Sequence, residues 1–521
     1  MITTHRLPEE AFTALANGDG DPGVVRYLRE AQHSKHLMLL RAAAEAADGT
    51  DSASPEAAAF RAGYRLLVTV QAADPDAVAW LLSLPHIGGW GHDCLVRLDQ
   101  ELPPDFSYLA CAAAAAAVRA GVGFELDVPV QNGRVQLPGL GHFHGIDQDS
   151  WVRLRSDGER LTVGALTDAP CAALVPDDGS GGPVPHWRGT TLVRAMAEGH
   201  SWDVLLETAD RHLDRYSLPV SSALTAEEVS SWRDCIQSAW QVLVRHHGWA
   251  AGPVADGVSV IVPLTPRNDT DQDSETTPAA FGAIATSWPP DPVIMAETLV
   301  HEFQHLKLCG LLDMVPLISP GSEKVYAPWR QDPRPASGLL QGVYAHLGIA
   351  RFWNIQRHVE TDPDDILRAQ VMYERWRPTI ELATDTLLRS GCLTPTGVRF
   401  VAMVREQGRN LESGTVPASA RETAGEVALD HWLTWQFRHT ALNAAGAASL
   451  AAAYKRGEPP REEMLPTVRI EEGIRKIEST VRSRLLNMRH LEPRRYRELC
   501  AAGVPELSGG DGLLADGKAS A

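Results

Sequence analysis

The sequence predicts an α+β protein, predominantly α-helical, and three observations carry that prediction. Long alanine- and leucine-rich amphipathic runs fill residues 8 to about 125 and recur beyond 360. Short alternating segments broken by Gly, Pro and Asp occupy about 128 to 194. A capped helical run around residue 300 carries His301-Glu302-Phe303-Gln304-His305, an HExxH pattern.

In chain order, residues 1–125 form a helical N-terminal lobe, with helices over Asp21 to Ala47 and through Arg61 to Leu84. Residues 126–200 form a small β-rich region with strands at Trp151-Val152-Arg153-Leu154 and Leu161-Thr162-Val163. Residues 201–506 form a mainly helical, metal-binding catalytic domain. It includes a β-hairpin at 257–288, whose strands Gly257 to Leu264 and Ala279 to Trp288 flank a polar loop, lead into the metal helix and wall the active site. Further helices cover Asp364 to Leu388, Ala420 to Ala444 and Thr467 to Arg489, with Trp376, Trp432 and Trp435 as core side chains. The tail 507–521, rich in Gly, Asp, Ser and Ala, is disordered. A length of 521 residues, at about 150 per domain, allows two to four lobes.

Composition narrows the function. A net charge of −18 argues against a nucleic-acid partner or an anionic membrane surface. The seven cysteines form neither CxxC pairs nor a three-cysteine cluster of iron–sulfur type, which argues against disulfide, zinc-ribbon and radical-SAM readings. The amino terminus lacks a basic-then-apolar signal, and the alanine run from Cys111 to Ala117 is too short to span a bilayer. A cytoplasmic protein is expected.

The HExxH run has Asp291 as N-cap, Pro292 at the first helical position, and no Gly or Pro until Gly310 and Pro316. Imidazoles four residues apart share a helix face, so His301 and His305 are the primary metal ligands. They fall on a stripe with Ile294, Thr298, Leu308 and Leu312, which should shelter them from bulk water. The metzincin extension is excluded, because Leu308 and Leu311 stand where its glycine and histidine would be. A thermolysin-like glutamate would have to be Glu323, in a Pro- and Gly-containing stretch unsuited to a helix.

The third ligand predicted from the sequence is His346. It lies in a helical segment from Ser337 to Arg351, on a face with Leu339, Gly342, Val343, Ile349, Ala350 and Trp353, and Gly342 permits close approach of another helix. The alternative role for His346 is a core histidine bonded to a carbonyl. Three neutral nitrogens suit zinc hydrolysis and equally suit ferrous iron with open positions for an oxoacid and dioxygen. His142 and His144 alternate in Gly141-His142-Phe143-His144-Gly145 and so share a strand face, but the want of a carboxylate partner and the flanking glycines argue against a second metal pair.

The passage ETLVHEFQHLKLCGLLDMVPL, followed by VYAPWRQDPRPASGLLQGVYAHLGIARFW, resembles bacterial HExxH-motif proteins associated with peptide natural products, the 2-oxoglutarate-dependent HExxH-type peptide β-hydroxylases. The opening HRLPEEAFTALANGDGDPGVVRYLREAQHSKHLMLLRAA and the strand-like AAFGAIATSW are similar too, so the likeness spans most of the first 360 residues. It implies an Fe(II)- and 2-oxoglutarate-dependent oxygenase that uses O2 to hydroxylate a side-chain β-carbon in a ribosomally synthesised precursor peptide. His301 and His305 fall on the family's motif; His346 is inferred from its own position.

For such an enzyme the distal carboxylate of 2-oxoglutarate calls for an arginine fork, with Arg330, Arg334 and Arg351 as candidates. Arg330 lies on the loop between the two histidine helices, whereas Arg351 points about 140° away from His346. Glu302 has three possible roles: orienting a ligating histidine, binding iron directly, or acting as the water-activating base of a zinc peptidase. The competing functions are that zinc-dependent HExxH peptidase and a non-catalytic peptide-binding scaffold.

Overall fold

The computed structural model describes residues 5–50, 54–146, 151–176, 184–221, 224–266, 272–289, 291–321, 324–411, 415–439, 444–459, 485–486, 488–489 and 493–502. The expected disordered tail, most of the helix expected at Thr467 to Arg489, and Glu323 lie outside the described residues. The fold is α+β and predominantly helical. It divides into two compact units, Met1–Leu15 with Asp19–Val315, and Ala16–Gly18 with Pro316–Ala521.

The first unit opens with α1 (Glu9–Ala16), α2 (Pro22–Asp48), α3 (Pro55–Ala73), α4 (Pro75–Ser83), α5 (Pro85–Asp99) and α6 (Tyr108–Ala120). Asp21, Ser54 and Asp74 cap α2, α3 and α4 with side-chain oxygens, each followed by a proline at the helix start. Pro75 breaks the run expected from Arg61 to Leu84 into two helices. An antiparallel sheet follows in the order β1 (Phe124–Pro129), β4 (Trp151–Ser156), β5 (Arg160–Val163), β6 (Thr167–Pro170). A second sheet pairs β2 (Arg134–Leu137), β3 (Gly141–His144) and β7 (Trp187–Gly189).

The regions 1–125 and 126–200, expected as separate lobes, share one core. Phe60, Leu67, Trp90, Tyr108 and Cys111 from the helices are buried in the same cluster as Leu126, Val135, Phe143, Leu154 and Val163 from the strands. One apolar sheet face and one apolar helix layer each need the other for burial. At the centre, α6 is buried from Tyr108 to Val118, and α3 meets it at Gly63. A Cβ there would lie 2.8 Å from Ala110 Cα and 2.9 Å from the Leu109 carbonyl oxygen. Gly63→Ala should therefore lower stability by about 1–3 kcal/mol, the usual cost of overpacking. An unchanged urea midpoint would contradict this close crossing.

The remainder of the first unit comprises β8 (Thr191–Ala197), β9 (His200–Leu206), α7 (Ala226–His246), α8 (Gly248–Gly257), β10 (Val260–Pro263), β11 (Ser274–Glu275), β12 (Ala283–Thr286) and α9 (Pro292–Leu312). The sheet order is β11-β12-β10-β9-β8. The hairpin expected over 257–288 is corrected here: β10 and β12 run parallel, in register from Val260 opposite Ala283 to Pro263 opposite Thr286. Parallel neighbours need a crossover rather than a turn, and the intervening segment instead lays β11 antiparallel on the far side of β12. Strand β10 is buried at all four residues, as a central strand requires.

The second unit is built on two long helices, α10 (Ala336–Val359) and α11 (Pro363–Arg389), with α12 (Pro395–Asn410), α13 (Ala418–His439), α14 (Ala444–Lys455), α15 (Pro493–Ala502) and a two-stranded pairing of β13 (Lys324–Val325) with β14 (Arg334–Pro335). The span 201–506, expected as a single domain, is thus divided after Val315. Trp376 and Trp435 are buried as expected, whereas Trp432 is 44% exposed. It belongs to an outward apolar stripe of α13 with Leu429, Leu433 and Phe437, turned away from the face that buries Ala420, Ala424 and Val427. Among the described residues, no helix is long and apolar enough to cross a membrane.

Candidate metal centre

Helix α9 starts as its sequence dictates, with the Asp291 carboxylate accepting from the Val293 and Ile294 amides at 2.9 Å. Its surroundings bury it on most sides, and past the first turn the residues left half-open fall on one stripe: Glu297, His301, His305, Cys309 and Leu312. The expected sheltering is met in part: Thr298 and Leu308 of the same stripe are buried, and the two histidines are half-buried. Their ridge is the more accessible side of an otherwise buried helix, because β11, β12, α2, α7 and α8 pack against its other faces.

Nε2 of His301 and Nε2 of His305 lie 3.2 Å apart, with the rings 4.8 Å between centroids and crossed at 78°. Two nitrogens bound to one ion at about 2.1 Å in tetrahedral or octahedral arrangement are about 3.0–3.4 Å apart. The pair therefore fits a shared divalent ion. Without an ion, the same spacing lets one ring donate an N–H to the other.

Glu302 projects to the covered side and is 2% exposed. Its Oε1 lies 3.7 Å from His301 Nε2 and accepts a 2.6 Å hydrogen bond from Ser274 Oγ on β11. Burial raises its pKa, outweighing the opposing pull of His305 and of the Ser274 and Thr276 hydroxyls. The same segment steadies the helix again through Gln272, whose amide donates to Thr298 Oγ1 at 2.9 Å. The contacts beside Glu302 thus come from the polar segment between the two strands expected to wall the site, through Ser274 and Gln272 rather than through those strands. Ser274→Ala should weaken divalent-ion binding about 10–100-fold, the usual effect of losing an outer partner, and Ser274→Thr should retain most of it. Equal affinities in a calorimetric titration would remove Ser274 from the site.

Sequence reasoning missed Ser274, Thr276 and Tyr216. The Tyr216 hydroxyl is buried without a hydrogen-bond partner among the described residues, and burial together with the Glu275 and Glu302 charges raises its pKa. No spacing relative to the motif marks these residues, since strand β11 and the segments beside the sheet deliver them.

His346 belongs to the second unit and is 4% exposed. Its Nδ1 bonds the Gly342 carbonyl at 2.8 Å, its ring stacks on Trp329 at 4.4 Å and 20°, and Trp376 meets it edge-on at 4.5 Å. This is the environment of a core histidine bonded to a carbonyl; the same bond fixes the tautomer that leaves Nε2 as an electron-pair donor. Gly342 was expected to admit a helix, but it admits the Trp329 indole, which a Cβ would meet at 2.2 Å.

Arg330 and Arg334 converge on Asp332, at 3.0 and 3.2 Å. Partial burial opposes the Asp332 charge, but the two guanidinium groups outweigh it and lower the pKa. Both forks are thus engaged by a protein carboxylate. Arg351 is half-buried on α10.

Among the described residues, no group of three or more His, Cys, Asp or Glu side chains is gathered to hold a metal ion. On α9 an ion would have two imidazole donors with a carboxylate beside them. Compared with known proteins, the chain matches no family model and no curated protein.

Proposed function

We propose that the chain is a metal-dependent enzyme acting as an Fe(II)- and 2-oxoglutarate-dependent oxygenase that hydroxylates a side-chain β-carbon of a ribosomally synthesised precursor peptide. The observation that carries the metal assignment is the 3.2 Å separation of His301 and His305 Nε2 on the open seam of α9. The iron and oxoacid assignment is supported by the sequence likeness around the motif. When bound, ferrous iron with 2-oxoglutarate and dioxygen supplies the oxidising power for C–H hydroxylation.

The protein's own part is positioning. His301 and His305 hold the ion, and Glu302, locked by Ser274, either orients His301 or completes a two-histidine, one-carboxylate set. The ligand side of the helix is reached by solvent, while the buried side fixes the ligands. Anaerobically reconstituted protein given precursor peptide, Fe(II), 2-oxoglutarate and oxygen should add one oxygen atom per peptide with matching succinate. Unmodified peptide, despite demonstrated binding, would overturn this reading.

One observation favours a second reading, a zinc peptidase. The buried Glu302 carboxyl, 3.7 Å from a ligand nitrogen and raised in pKa, has the placement of a water-activating base. Loss of peptide cleavage in Glu302→Gln, with no response to 2-oxoglutarate, would select it.

A further inference from the structure

We propose that the first unit carries a second binding site, a small cavity between β3, β7 and the start of α7 that takes a small molecule through a carboxylate or phosphate group. The cavity has a volume of about 250 Å³, and its polar lining includes His142, Arg188, Thr190, Thr191, Glu207 and Arg233. At about 30 Å³ per water, it holds on the order of eight waters or a metabolite with a similar number of heavy atoms.

Three features define the occupant. First, His142 is only 4% exposed and lines the cavity; its backbone is paired between β2 and β7, while its ring makes no hydrogen bond among the described residues. Burial, with the Arg134 and Arg188 charges, lowers its pKa to about 4, so at neutral pH it offers one donor and one acceptor. An occupant of the cavity can take the place of water on that donor and acceptor.

Second, two arginines line the same space, Arg188 exposed and Arg233 half-buried. Arg188 stands directly opposite His142 in the β3–β7 register, and Arg233 lies two turns into α7 on the face of Ala226. Neither forms an ion pair among the described residues, in contrast to Arg330 and Arg334. Planar forks of this kind match carboxylate and phosphate oxygens.

Third, the one carboxylate in the lining is already satisfied. Glu207 accepts from His86 Nε2 at 3.2 Å, Thr190 Oγ1 at 3.3 Å and the Ala209 amide at 2.8 Å. With two arginines in the lining against this one carboxylate, which is already hydrogen-bonded, the cavity presents a surplus of positive charge. The pairing of His142 with His144 weighed from the sequence does not form a metal site here: the rings are 6.3 Å apart, and His144 is exposed beside His186.

Calorimetric titration of the full-length chain with succinate and, separately, with inorganic phosphate tests this. Saturable one-to-one binding of either probe is expected, and the probe that binds identifies the group recognised. Arg188→Ala and Arg233→Ala should each weaken it about tenfold or more, with Arg233→Lys intermediate. His301→Ala, which tests the metal centre, should leave it unchanged. In the unmodified chain, hydrogen exchange should slow at 141–144 and 187–191 on adding the probe. Absence of saturable binding by both probes, binding that survives the double arginine substitution, or protection confined to other segments would overturn the proposal.

Discussion

Replacing His301 or His305 with alanine is expected to abolish stoichiometric divalent-ion binding while leaving the fold intact. The separation of 3.2 Å between their nitrogens means that each ring supplies half of the imidazole donor set on α9. Losing an outer partner costs about 10–100-fold in metal affinity, so losing a direct donor should exceed about a hundredfold. Both rings are only half-buried, so little core packing is lost, and far-ultraviolet circular dichroism should be unchanged. His346→Ala should behave in the opposite way: it empties the space between Trp329 and Trp376 and should cost about 2–5 kcal/mol of stability, as large-to-small core changes do. Full metal occupancy in the His301, His305 double variant would end the metal assignment.

The second large effect concerns the buried pair His86 and Glu207, 0% and 2% exposed and 3.2 Å apart. Glu207→Ala leaves a buried imidazole, a buried threonine hydroxyl and the Ala209 amide without their acceptor, a change that typically costs about 3–5 kcal/mol. His86→Phe with Glu207→Leu should recover much of that loss, because apolar replacement removes both desolvated charges.

The pair also sets a pH window. Burial disfavours the His86 charge, but the Glu207 hydrogen bond and the Asp210 and Glu207 charges outweigh it, raising the pKa above 6.5. That contribution is full below 6.5 and fades as pH rises through the folded value. Burial likewise disfavours ionised Glu207, but His86 and the Ala209 amide outweigh it, lowering the pKa below 4.5. Its contribution is present above 4.5 and fades as pH falls through the folded value. Stability from the pair should therefore be greatest between about 4.5 and 6.5. Urea unfolding across pH, compared with the apolar double variant, measures it; parallel curves would show that the pair carries no linked protons.

Local order was legible where local chemistry decides it. Asp291 and Pro292 start α9, Asp21 starts α2, and the alternation at Trp151 to Leu154 makes a strand, since capping, fixed φ and side-chain periodicity act over a few residues. The HExxH spacing likewise sufficed to bring two imidazoles to one point. Orientation was less legible: an apolar stripe around His301 and His305 suggested burial, yet a helix that is apolar nearly all round gives no sign of which face its neighbours leave open.

By itself, then, the sequence determined the helical α+β class, the α9 helix and the histidine pair. Tertiary structure alone decided that β10 and β12 run parallel, that the chain divides at Val315, and that Ser274 reaches Glu302. It also decided that His142 and Arg233, 91 residues apart in number, line one cavity. The physical reason is range: capping and periodicity are set by neighbours along the chain, whereas strand pairing and side-chain convergence depend on which distant surfaces bury one another.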